Sequence, residues 1–188
     1  MPQFDDFGTA LAHNWPFWLV SVVLVVAAVI DGVKLKVPNW ITFALVISGW
    51  IYSPLAFGWE GLMWSLGGTL LGLALLLPAY AIGGMGAGDV KLLAGVGAWV
   101  HPTHTMYAFC ATAIIGAVIA VIQAWWLGGL RKHASQFQSM FYEILIIRNP
   151  SQLAAIAADR KSTMLLLPYG IPMTIGTILY FAWTGMLV

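Results

Sequence analysis

Gly83-Gly84-Met85-Gly86-Ala87-Gly88-Asp89-Val90-Lys91 is a glycine-rich break ending in an acid, set in a chain of 188 residues that is 61% hydrophobic and only 8% charged. Four glycines within 83–88 make a poor helix, yet long apolar runs flank the break, 61–82 before it and 89–101 after it. At membrane depth, irregular backbone is tolerated only where protein or a water-filled cavity satisfies its polar groups. The stretch therefore predicts a broken connection between two membrane-crossing helices, with Asp89 at the start of the second.

A crossing takes about 20 mostly apolar residues. The chain offers six such runs, at 16–33, 39–57, 61–82, 89–101, 104–127 and 164–187. The expected fold is all-α: a polytopic membrane protein with six transmembrane helices in a single membrane-embedded domain over 1–188. At about 1.5 Å per residue the fourth run rises only ~20 Å, so Asp89 begins a helix inside the membrane rather than at its surface. Between the fifth and sixth runs, Phe137, Met140, Phe141, Ile144 and Leu145 recur at helical spacing among Gln136, Gln138, Ser139 and Glu143. That pattern predicts a cytoplasmic amphipathic insertion over 131–161, lying on the membrane surface as a tether or as a flap over the acids. Gly68 and Gly72 have the spacing of a close helix contact.

Charge orients the chain. With the N-terminus outside, the eight basic residues, Lys34, Lys36, Lys91, Arg131, Lys132, Arg148, Arg160 and Lys161, all face the cytoplasm. Both termini are then external. Trp15, Trp18, Trp59, Trp64 and Trp99 fit an outer aromatic belt, and Trp40, Trp125 and Trp126 an inner one. A net charge of +1 leaves no basic stripe for nucleic acid. The single cysteine, Cys110, excludes an internal disulfide and a multi-cysteine zinc site and reads as a small core residue. Met1 to Trp18 contains Asp5 and Asp6 but no Lys or Arg, unlike a cleavable secretory leader. His101-Pro102-Thr103-His104 reads as a structural loop rather than a metal site, and neither a metal nor another cofactor is expected.

The second acid of interest, Asp31, ends the first apolar run, and the topology puts it at the same membrane face as Asp89. Each has a plain explanation: Asp31 can pair with Lys34 at i+3, and Asp89 can stabilise a helix start through the dipole. Together, at one depth beside a glycine break, they point to chemistry. Two neighbouring carboxyls cannot both ionise cheaply, so the pair shares a proton. The ionised member takes a proton from water while the protonated one hydrogen-bonds a scissile carbonyl. The glycines let an extended substrate backbone approach closely. The alternative is a small proton-coupled transporter or transporter subunit, in which the same acids carry protons. That reading predicts acids near the midplane, reachable from both sides.

The motifs also carry a resemblance. Gly86-Ala87-Gly88-Asp89 has the GxGD form and Lys91 extends it to GxGDxK. Asp31 is followed by Val37-Pro38-Asn39, and Pro168-Tyr169-Gly170 opens the last run. From Ile30 to Val188 this pattern resembles the type IV prepilin peptidases. Presenilin-type proteases share GxGD but place their first aspartate after tyrosine, whereas here the context is Ile30-Asp31-Gly32. The resemblance implies an aspartic endopeptidase of the bacterial inner membrane that removes a short basic leader from prepilins at the cytoplasmic face. It implies Asp31 and Asp89 as the catalytic pair, and Gly86, Gly88, Lys91, Pro38 and Asn39 as substrate-binding or site-shaping residues. The implied partners are Flp-type or type IV pilin-like prepilins, membrane lipid and the pilus-assembly machinery. With one cysteine the chain cannot carry the two CxxC pairs of bifunctional members, so N-methyltransferase activity is not expected. Its compactness resembles the tight-adherence (Flp) branch or the archaeal preflagellin peptidases, and its length and short C-terminal layout match the Flp branch.

Overall fold

A computed structural model of the chain describes residues 7–81, 84–126 and 168–187. The amphipathic insertion expected over 131–161 lies outside the described residues, as do Gly83 and the five basic residues from Arg131 to Lys161. Four helices make up the described chain: α1 (Phe7–Lys34), α2 (Asn39–Ala81), α3 (Ala87–Trp126) and α4 (Gly170–Trp183). No strand occurs among the described residues. Asn14–Lys34, Asn39–Ala81 and Ala87–Gln123 are each long and apolar enough to cross a membrane. The described chain is all-α, with the long apolar helices of a membrane protein.

Two of these helices fold back on themselves. Helix α2 breaks at Gly58, where φ 65° and ψ −153° suit a residue without Cβ. Beyond the break the chain reverses, so that Trp50 Nε1 donates to Thr69 Oγ1 at 3.0 Å. A straight helix would hold those residues ~28 Å apart. Helix α3 breaks at His101, with φ 65° and ψ 171°, just before Pro102. The resulting arms, 39–57 with 59–81 and 87–100 with 102–126, match the four central apolar runs to within about two residues. Helix α1 starts earlier than the first run, at Phe7, and carries Pro16 inside it.

The break at His101 has a local cost that side chains offset. Pro102 has no N–H to give the Ala98 carbonyl four residues back. That carbonyl instead accepts from Ser65 Oγ at 2.6 Å and, more weakly, from Ser53 Oγ at 3.4 Å. Ser65→Ala should cost ~1–3 kcal/mol by leaving a buried acceptor poorly served. A thermal midpoint in detergent indistinguishable from wild type would contradict this.

The arm 87–100 is the centre of the fold, and every residue from Leu92 to Val100 is buried. It lies between the two arms of α2. On one side it runs parallel to 39–57, with Gly95 on Leu45 and Ala98 on Gly49; on the other it runs antiparallel to 59–81, with Gly97 on Gly68 and Leu93 on Gly72. The spacing of Gly68 and Gly72 thus marks a close contact: a Cβ on either Gly68 or Gly97 would strike the other's carbonyl. Helix α4 packs antiparallel to the arm 102–126, with Gly176 on Thr112, and against α1, with Phe181 5.3 Å from Phe17 between ring centroids.

Two expectations about side chains are corrected. Trp99 is not in an outer belt; it is buried, stacks on Tyr52 and donates from Nε1 to the Leu45 carbonyl at 2.9 Å. Cys110 is exposed rather than in the core. Of the other belt tryptophans, Trp15, Trp40, Trp59, Trp64, Trp125 and Trp126 are exposed and Trp18 is half-buried.

Candidate active site

The C-terminal end of α1 and the starts of α2, α3 and α4 converge at one end of the bundle. Asp31 is in the last turn of α1. The helix stops when Leu35 takes φ 50°, its N–H donating to the Asp31 carbonyl at 2.7 Å. A left-handed leucine costs roughly 1–2 kcal/mol, so strain is stored next to the acid. The linker then turns through Lys36 and the buried Val37 into Pro38, whose carbonyl accepts the Ile41 and Thr42 N–H groups at 3.2 and 3.4 Å and so starts α2. Asp31 itself is 4% exposed, and its Oδ2 accepts the Gly170 N–H at 2.9 Å.

Asp89 reaches the same place from the other direction. The irregular backbone covers Gly84, Met85 and Gly86, and α3 begins at Ala87. Gly88 is therefore part of the first helical turn rather than of the break. Asp89 closes that turn: its N–H donates to the Gly86 carbonyl at 3.2 Å, and its Oδ2 accepts the Gly86 N–H at 3.1 Å. This is the reach-back half of a capping box. The helix-start role of Asp89 is real, but it occupies one oxygen. The other, Oδ1, is buried without a hydrogen-bond partner among the described residues, which leaves it for a water or a substrate.

Both acids line one cavity of about 390 Å³, close enough for the charge of Asp31 to act on Asp89. Gly86, Gly88, Asn39 and Lys91 line it too, with Leu35, Lys36 and Pro168. Lys91 Nζ donates to Asn39 Oδ1 at 3.0 Å and lies 5.0 Å from the Phe43 ring centroid, a cation–π distance. Of the seven site residues expected from the sequence, six share this cavity. Pro38 is not part of its wall and acts by starting α2. Sequence reasoning did not assign Leu35 and Lys36 to the site, nor the bond from Gly170 to Asp31; the only signal for Gly170 was its place in the irregular Pro168-Tyr169-Gly170 stretch. His101 and His104 lie far from the acids. His101 packs by Phe57 and Trp64, and His104 Nδ1 shares a 2.7 Å hydrogen bond with the Tyr180 hydroxyl.

A chamber between helix ends, holding two buried carboxyls that each keep one oxygen tied to a backbone N–H, can orient a water and polarise a carbonyl. A family model described as the type IV leader peptidase family matches residues 18–121, more than half of the chain and a span that includes both acids. Comparison with curated proteins and with solved structures gave no match.

Proposed function

Because the chain belongs to the type IV leader peptidase family, we propose that it is a membrane aspartic endopeptidase that cleaves the short basic leader from type IV or Flp-type prepilins. Asp31 and Asp89 form its catalytic pair. The observation that carries this reading is the meeting of the two acids, from helices α1 and α3, on one cavity at the end of the bundle where Lys36 and Lys91 also lie.

In the proposed reaction the ionised carboxyl removes a proton from water as the water oxygen bonds to the scissile carbonyl carbon. The protonated carboxyl donates a hydrogen bond to the carbonyl oxygen as charge develops there. Collapse of the tetrahedral intermediate breaks the C–N bond, and the proton taken from water goes to the leaving amine. The backbone donors Gly170 and Gly86 hold the two carboxyls while this happens. Asn39 and Lys91 shape the mouth of the chamber, and Gly88 abuts Val37 so that the linker lies over the start of α3.

The membrane placement follows from the same reading. The four arms of α2 and α3, with α1 and α4, make six crossings of one domain in the bacterial inner membrane, with the chamber facing the cytoplasm and both termini outside. No methyl transfer belongs to the proposal. The transporter alternative is not favoured: family membership points to a peptidase, and both acids sit at one end of the bundle.

Lys91 supplies a cation for the acidic residue that prepilins carry shortly after the cleavage site. Changing that Glu to Gln should lower kcat/KM about two- to fivefold in wild type, the scale of a partly exposed pair, and have no effect in Lys91→Ala. Equal losses in both enzymes would remove this role. The proposal as a whole is tested by incubating the purified protein in liposomes with a Flp-type prepilin and reading the product by mass spectrometry. Release of the intact leader by hydrolysis at one peptide bond is expected. No release from any prepilin, Flp-type or type IV, would overturn it.

A further inference from the structure

The start of α4 lacks the side chain that ordinarily caps a helix. Tyr169, at the N-cap position, makes no side-chain capping bond, so the first N–H groups of α4 need acceptors from elsewhere. For Gly170 that acceptor is Asp31 Oδ2, 139 positions away in the chain, at 2.9 Å in a buried bond. The fit is tight. A Cβ on residue 170 would lie 2.9 Å from Asp31 Oδ2 and 3.2 Å from its Cβ. The turn is itself tethered to α1: the Thr174 hydroxyl shares its proton between the Leu24 carbonyl at 2.9 Å and the Gly170 carbonyl at 2.8 Å, both buried. Tyr169, next in line, is close enough to feel the charge of Asp89.

We infer that Gly170 is a positioning residue for the reaction: its N–H sets the orientation of the Asp31 carboxyl, and Thr174 locks the turn that presents it. This rests on the peptidase reading, since it assigns a role in that same site. Neither residue needs to touch substrate. Their effect is on where one carboxyl oxygen sits relative to the attacking water, and a misplacement of 1 Å can cost ~10²-fold in rate.

Two measurements test this. In prepilin cleavage, Gly170→Ala should lower kcat ~10²-fold with KM unchanged in protein that still unfolds cooperatively, a split that loss of folded protein would not give. Should that variant fail to fold, Thr174→Val should lower kcat and Thr174→Ser restore it. Independently of activity, protein labelled with ¹⁵N-glycine should show the Gly170 amide resonance moving when Asp31→Asn is introduced, because that amide's acceptor changes from a carboxyl to a carboxamide. Wild-type kcat in Gly170→Ala, or in Thr174→Val, or an amide resonance unmoved by Asp31→Asn, would overturn the inference. A wild-type protein that cleaves no prepilin would instead overturn the peptidase reading, while the amide measurement still decides whether Gly170 holds Asp31.

Discussion

Asp31→Asn and Asp89→Asn are each expected to lower leader cleavage by ~10²–10⁴-fold, the range for removing a general acid or base, while leaving the protein folded. The reason lies in what asparagine keeps. Its amide oxygen can still accept the N–H of Gly170 or Gly86, at the positions where the aspartate oxygens now sit 2.9 and 3.1 Å away. Size and capping are retained and only the ionisable group is lost. In the proposed mechanism one acid acts on the water and the other on the carbonyl of a single step, so the double variant should be little worse than either single one. Co-expression with a prepilin, reading leader loss by gel mobility and mass, makes the comparison. Substantial processing by either single variant would end the assignment of the pair.

The largest effect on folding is expected from Gly97→Leu. Gly97 and Gly68 bring two helix backbones into direct contact, with no flexible side chain between them to yield. Adding four carbons there must separate the central arm from the second arm of α2. Overpacking of an ordinary core costs 1–3 kcal/mol; here the obstacle is backbone, and the loss should exceed about 3 kcal/mol. The expected result is little or no monodisperse protein after extraction in mild detergent. Leu70→Ala, on the same α2 arm but 66% exposed, serves as the control and should extract normally. Normal extraction of Gly97→Leu would show that the contact is looser than drawn.

Much of this architecture was legible in the sequence because its breaks carry chemical marks. Gly58 and the His101-Pro102 pair fall where the apolar runs are interrupted, and Pro38 and the glycines of 84–86 mark where α2 and α3 begin. What stayed hidden was which face of each helix points inward. A helix surrounded by lipid is apolar all round, so hydrophobic period gives no inward direction. For that reason Trp99 read as a belt residue when it is buried, and Cys110 as a core residue when it is exposed. Small residues gave a better signal, as Gly68 and Gly72 did. Both acids of the site were legible from cost: a carboxyl in an apolar run needs a purpose. The Gly170 donor was not, because a backbone N–H leaves no trace in composition, and nothing local connects the start of α4 to α1.

One feature of the fold bears on how the chamber works. Among the described residues, the non-glycine positions with positive φ are Leu35 and His101. They fall at the two places where chain leaves the tightly packed unit of 39–100 for the remainder of the bundle. Asp89 rides on that unit. Asp31 rides on α1, which leans chiefly on α4. The gap between the two carboxyls is thus set by how α1 and α4 pack against that unit, and not within the helix that carries either acid.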